Sequence, residues 1–242
     1  MAQQDSKGYI LKEYFSRYIT EVQNDSVSTA KHYLEALKYV SKILVARGLI
    51  KESIYEVESV DTLQNLNDIL NNDPEYVKTN KDGHNMYSVG MNHYIMFARG
   101  EGFADVHSKI EVMDIEVPRP NKVTGSTSSW VRNGLVKRQA MQSVEYICEV
   151  NPAHTTFIQQ GTSHPYMEGH HLIAMSLQGQ FDTSLDSYAN IVCLCPICHR
   201  LMHYGRPCDK KEPLDKIYAD RADRLANTGI RLSRDEFENF VL

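Results

Sequence analysis

Cysteine is scarce in this chain, five in 242 residues. The count is odd, and the opening "MAQQDSKGYILKEYF" is polar, with no uninterrupted apolar segment of the kind a secretory leader carries. Both facts argue against a disulfide framework and for reduced thiols that bind metal, with a cytoplasmic location expected. Long hydrophobic runs are missing as well. None approaches the roughly 18 residues that a membrane-spanning helix needs, so a helical membrane protein is excluded and no membrane partner is expected. Excess positive charge is also absent: the net charge is −5 and the pI about 6.1. A nucleic-acid partner would have to be met by a local basic surface, because the overall field is unhelpful. What remains, 42% hydrophobic and 24% charged residues, is the composition of an ordinary globular protein with a core to bury.

The chain reads as two regions joined by a linker, and no repeat of fixed period runs through it. Residues 1–103 carry 11 basic and 14 acidic side chains and read as helical throughout. "SVSTAKHYLEALKYVSKILVARG" opens on Ser/Thr caps and ends at Gly48, with Ala30, Tyr33, Leu34, Leu37, Val40, Ile43 and Leu44 at three- and four-residue steps. "VDTLQNLNDILNN" repeats the pattern and stops before Pro74. "NMYSVGMNHYIMFARG" repeats it with Met86, Val89, Tyr94, Met96 and Phe97, and "YILKEYFSRYI" makes a fourth helix. This all-α N-terminal domain is expected to serve target recognition or dimerisation. His32, His84 and His93 lie in it without ligand-like spacing.

Residues 104–129 have linker composition, typified by "VPRPNKVTGSTSS". From Val117 to Val144 there is no acidic side chain, whereas Arg119, Lys122, Arg132, Lys137 and Arg138 all occur. Such a run is either a solvated linker face or a patch that follows a phosphate backbone. Helical character returns in "WVRNGLVKRQAMQSVEYI", where Val131, Leu135, Ala140, Met141, Val144 and Ile147 can face a core.

Six of ten histidines and four of five cysteines lie between Cys148 and His203. In "NIVCLCPICHRLMH" Cys195 and Cys198 form a C-x2-C pair whose thiolates can converge on one ion. Cys148 and His154, with Pro152 between them to turn the chain, supply a second pair. Four such donors suit a tetrahedral structural Zn2+ that clamps the start of the domain onto its end. Cys193 is expected in a buried strand beside Ile191, and Cys208 as a bystander.

His170, His171, His199 and His203 are left over. His199 and His203 stand four residues apart, so on a helix they share a face. Each histidine taken singly reads as a core or capping residue. Taken together they suit phosphodiester hydrolysis, which needs a water nucleophile, a base with a pKa near neutrality, and a divalent cation.

"YMEGHHLIAMS" followed by "NIVCLCPICHRLMH" resembles the HNH endonucleases of the ββα-metal fold, in particular those with a zinc knuckle, over residues 130–242. The resemblance implies an α+β chain: an all-α domain followed by a zinc-stabilised nuclease domain that hydrolyses DNA. Restriction of foreign or modified DNA is the biology it suggests. His171 would be the general base, and His170 and His199 would hold a catalytic Mg2+, Mn2+, Co2+ or Ni2+. His203 would be a further ligand or a phosphate contact. Asn190 would tie the neighbouring loop to the strand carrying His171, and Glu168 would stand behind the ligands. Arg200, with the basic residues upstream, would help to hold DNA, and double-strand cleavage would require two protomers or two successive nicks.

Two features depart from the family pattern. Asn151 stands where many relatives have the second cysteine of the upstream zinc half, which makes His154 the fourth ligand. Adjacent strand residues point to opposite faces, so His170 and His171 can share one site only where the strand ends or bulges. The alternative reading is a zinc-stabilised DNA-binding or interaction module with a degenerate nuclease site. After His203, residues 206–229 read as a charged amphipathic helix and "SRDEFENFVL" as a short capped one.

Overall fold

A computed structural model describes residues 10–103, 110–120, 122–123, 129–130 and 132–242. The chain divides into two compact units, the first ending at Gly102 and the second beginning at Phe103.

The first unit is helical: α1 (Ile10–Arg17), α2 (Val27–Ala46), α3 (Val60–Asn71), α4 (Pro74–Asp82) and α5 (Met86–Arg99). Caps set the boundaries. The hydroxyl of Ser26 accepts from the Thr29 N–H at 3.0 Å, and Ser59 does the same for Thr62 at 3.3 Å. Gly100 takes a left-handed φ of 75°, which lets α5 end in a tight C-terminal turn. Helix α3 ends before Pro74, as its sequence suggests, and Pro74 also begins the next helix. At the first helical position it has no N–H to leave unpaired, and Asp73 caps the new helix by accepting from the N–H groups of Glu75 and Tyr76.

The buried face of α2 is rotated from the expected stripe. Ala36 and Ser41 are buried with Ala30, Leu37, Val40 and Leu44, while Tyr33, Leu34 and Ile43 are only partly covered. On α5, Gly90, Met91 and Ile95 lie inside and Val89 is exposed. The cause is a close crossing, since a Cβ on Gly90 would stand 3.0 Å from the Cβ of Ala36. Two small residues let the backbones approach and turn the larger apolar side chains to either side of the contact.

The second unit holds a two-residue ladder, β1 (Lys122–Val123) with β2 (Ser129–Trp130), then α6 (Gly134–Ser143). Next come β3 (Glu168–His171), β4 (Ile191–Leu194), α7 (Pro196–Tyr204), α8 (Pro207–Asn227) and α9 (Arg234–Val241). The architecture is mixed α and β with small sheets. Helix α6 is shorter than the periodicity suggests, because Glu145 and Tyr146 adopt φ of 52° and 55° and turn the chain toward Cys148. Part of the stretch read as linker is bonded into this unit. The carbonyl of Val117 accepts from the Ser184 N–H at 2.7 Å and the Thr183 hydroxyl at 3.0 Å, and Asp114 pairs with Arg224 of α8.

Strands β3 and β4 pair antiparallel in a continuous register, with Glu168 opposite Leu194, Gly169 opposite Cys193, His170 opposite Val192 and His171 opposite Ile191. All four residues of β4 are buried, including Cys193, and Leu172, Ile173, Met202, Leu214, Ile217 and Phe237 belong to the same core. The order β3, β4, α7 therefore places a two-stranded ribbon directly before the helix that carries His199 and His203. Among the described residues no helix is long and apolar enough to cross a membrane.

Candidate functional site

Two groups of metal-type donors form in the second unit, both anchored on α7. The first is Cys148, His154, Cys195 and Cys198, whose ligand atoms all lie within 4.8 Å of one another. The His154 Nδ1 is 3.8 Å from the sulfur of Cys148, 3.5 Å from that of Cys195 and 3.3 Å from that of Cys198. A tetrahedral Zn2+ with Zn–S near 2.3 Å and Zn–N near 2.0–2.1 Å requires S···N separations of roughly 3.6 Å. The donor set and its spacing fit that ion.

Local structure explains the convergence. Cys195 is the N-cap of α7, Pro196 is its first residue and Cys198 sits in the first turn, so both sulfurs face the helix N-terminus. The Asn151 side chain accepts from the Ala153 N–H at 3.0 Å and shapes the turn that carries His154. Asn151 thus serves the loop and offers no donor to the group. Burial alone would raise the Cys148 thiol, but hydrogen bonds from the backbone at Asn151, Cys195 and Val150 and from His154 outweigh it and bring the pKa down to about 7. The Cys198 thiol, in contrast, is pushed up by burial and by the neighbouring sulfurs. Glu149, next to Cys148, accepts from the Cys193 N–H at 2.6 Å and pairs with Arg221 of α8, which ties this loop to β4 and to the core.

The second group is His170, His199 and His203. The two α7 histidines present their Nε2 atoms 3.1 Å apart, and the His170 ring lies 5.1 Å and 4.9 Å, centroid to centroid, from theirs. Nitrogen ligands at 2.0–2.1 Å from one ion stand roughly 3–3.4 Å apart, so this separation fits as well. Burial, followed by the neighbouring His199, His203, His171 and Lys210 charges, depresses His170 to about 3, and His203 is lowered for similar reasons. A neutral imidazole is the form that binds a cation.

Glu168 lies behind this group, on the same face of β3 as His170. Its carboxylate accepts from Nδ1 of His199 and, at 3.0 Å, from the Tyr166 hydroxyl. Burial would raise Glu168, but these two partners and the charges of His199 and Arg200 hold it below the ordinary carboxylate range. A carboxylate on the far nitrogen fixes the ring of a ligating histidine and directs its other nitrogen to the ion.

His171 does not join this group. The β3 ladder has no bulge, so His171 faces away from His170, on the side where a Cβ on Gly169 would strike Lys137 of α6. Its Nε2 meets the buried Oδ1 of Asp186 at 2.9 Å. Asp186 is a residue that sequence reasoning missed, and nothing in "FDTSLDSYAN" marks it. Asn190 is fully buried. Its amide donates to the carbonyls of Ile173 at 3.0 Å and Leu185 at 2.8 Å, and its oxygen accepts from the Ile173 N–H at 2.9 Å. It fastens the chain leaving His171 to the segment that carries Asp186.

The basic residues are dispersed. Arg132, Lys137 and Arg200 are exposed, and Arg200 stacks over the Tyr204 ring at 5.8 Å. Arg138 is half-buried on α6. Arg119 is engaged with Asp182 and the Gly179 carbonyl. Lys122 is described only in its backbone, in β1.

No family model matches the chain. It is 34% identical over 106 residues to the type IV methyl-directed restriction enzyme EcoKMcrA of Escherichia coli (strain K12). The similarity takes in 44% of this chain and 33% of that enzyme, so the chain aligns with about a third of the length of the relative it matches.

Proposed function

We propose that the chain is a metal-dependent DNA endonuclease of the HNH type, with its reaction centre in the second unit at the end of β3. One observation carries this reading. A β-hairpin and the following helix group three histidines on one face, and a fourth, paired with a buried carboxylate, stands on the other face beside them. The partial similarity to a methyl-directed restriction enzyme supports DNA as the substrate and restriction of modified DNA as the role.

In this reading His170, His199 and His203 hold a divalent cation, and Glu168 orients His199. When bound, the cation neutralises charge on the scissile phosphate and on the leaving oxygen. His171 takes the proton of the attacking water. Its Nε2 is engaged by Asp186, which leaves Nδ1 as the accepting atom. The substrate phosphate would be met at the end of β3, where His170, His199 and His203 would hold the cation and His171 would supply the base. Asn190 keeps that strand end in place, while Cys148, His154, Cys195 and Cys198 hold a Zn2+ that fixes the start of α7. Exposed Arg132, Lys137 and Arg200 contact the DNA backbone.

Three imidazole nitrogens make a softer donor set than the oxygens that Mg2+ prefers. Ni2+, Co2+ or Mn2+ should therefore support faster cleavage than Mg2+ at equal concentration. The test is supercoiled plasmid, with and without cytosine modification, incubated with each ion. Nicked or linear product, lost on chelation and in His171→Ala, is the expected result. Intact plasmid with every ion, from protein that still holds zinc, would contradict the proposal.

A further inference from the structure

We infer that Asp186 is a positioning residue for His171, setting which ring nitrogen is free to accept a proton; this rests on the nuclease reading above.

Asp186 is 3% exposed, and both its carboxylate oxygens are used. Oδ1 accepts from Nε2 of His171 at 2.9 Å, and Oδ2 accepts from the Asn133 backbone N–H at 2.6 Å. Its own N–H is 3.2 Å from the hydroxyl oxygen of the buried Ser184. The carboxylate can therefore neither swing away nor turn its second oxygen to the imidazole without breaking a buried bond.

A carboxylate is an acceptor only, so the His171 nitrogen facing it must carry a proton. That places N–H on Nε2 and the lone pair of the neutral ring on Nδ1. A base held in the wrong tautomer presents a donor to the water and cannot take its proton.

The second bond of Asp186 gives the pair its reference point. Asn133 is the N-cap of α6: its Oδ1 accepts from the Leu135 N–H at 2.9 Å, and its own N–H points at Asp186. The same helix carries Lys137, whose side chain lies over Gly169 of β3. Helix α6 thus touches the histidine strand twice, once through side-chain packing and once through the carboxylate. The orientation of His171 is referred to a rigid helix terminus and not to a surface loop.

Asp186→Asn keeps the shape and an oxygen for the Asn133 N–H, but it turns an NH2 donor toward His171. The ring is then driven to hold its proton on Nδ1. The measurement is single-turnover plasmid cleavage by the full chain with saturating Mn2+, together with DNA affinity measured in Ca2+. Asp186→Asn should lose up to roughly 10⁴-fold in rate, the loss seen when the carboxylate that orients a histidine base becomes an amide, with affinity within about twofold of the parent.

A second reading needs no variant. Long-range ¹H–¹⁵N correlation on the wild-type protein should find the His171 proton on Nε2. A proton on Nδ1, or an Asp186→Asn protein that cuts at the parental rate, would overturn the inference while leaving the nuclease standing. Wild-type protein that cuts no DNA with any divalent ion would overturn the nuclease reading and this inference with it.

Discussion

The side chains that position the reactive groups, more than those groups themselves, decide what this site can do. His199 has one nitrogen committed to Glu168 and the other turned toward His170 and His203. Glu168→Gln should weaken divalent-ion binding and slow cleavage by roughly 10–100-fold, the usual cost of removing the partner of a ligating histidine. Titration calorimetry with Mn2+ against the zinc-loaded protein reads this directly, and unchanged affinity would remove Glu168 from that role. Asn190 works through the backbone. Replacing it by Ala leaves the N–H and C=O of buried Ile173 and the carbonyl of buried Leu185 without their partner. A loss of at least about 3 kcal/mol is expected, at one to three per stranded group, measured by urea denaturation. His171→Ala should abolish cleavage, and because it leaves the buried Oδ1 of Asp186 without its partner it should also cost about 1–3 kcal/mol of stability. The residues that the structure groups as possible metal donors could be picked out in the sequence, because cysteine and histidine are rare here and their short spacings are tied to local turns. Asp186 was not legible. An aspartate among serines looks like loop material, and only the antiparallel pairing brings it to a histidine 15 residues away.

Among the elements, α7 and its N-cap contribute to both donor groups. Its first turn supplies Cys195 and Cys198 and its next turns supply His199 and His203, so one helix orients both donor groups. Cys198→Ser should release zinc, and the contribution of the metal to folding with it. The expected result is a lowered first thermal transition and less than one zinc per chain. Full zinc and an unshifted transition would displace Cys198 from the ligand set. The helix stops at Gly205, where a Cβ would stand 2.6 Å from the Leu201 carbonyl oxygen. The first unit shows where periodicity misleads. Apolar residues at three- and four-residue steps located the helices, yet the small residues Ala36 and Gly90 chose the face, and size does not register in a hydrophobic pattern. The stop of α3 before Pro74 was legible, but not that the same proline begins α4. The neighbouring Asp73 was the overlooked clue.

For the molecule as a whole, charge is the constraint. With a net charge of −5, action on DNA as proposed would have to rest on few phosphate contacts. Lys137→Ala should lower affinity about equally for all sequences and reduce the slope of log K against log salt by about 1. In the proposed reading the two donor groups divide the work in the second unit: the sulfur-rich, buried one would serve the fold and the partly open histidine one the reaction. The measurement that tests this division most directly is metal content and cleavage on the same sample after brief chelation. One zinc per chain should be retained, cutting should be lost, and cutting should return when Mn2+ or Ni2+ is added. Cutting that persists with only the tightly held zinc present would contradict it.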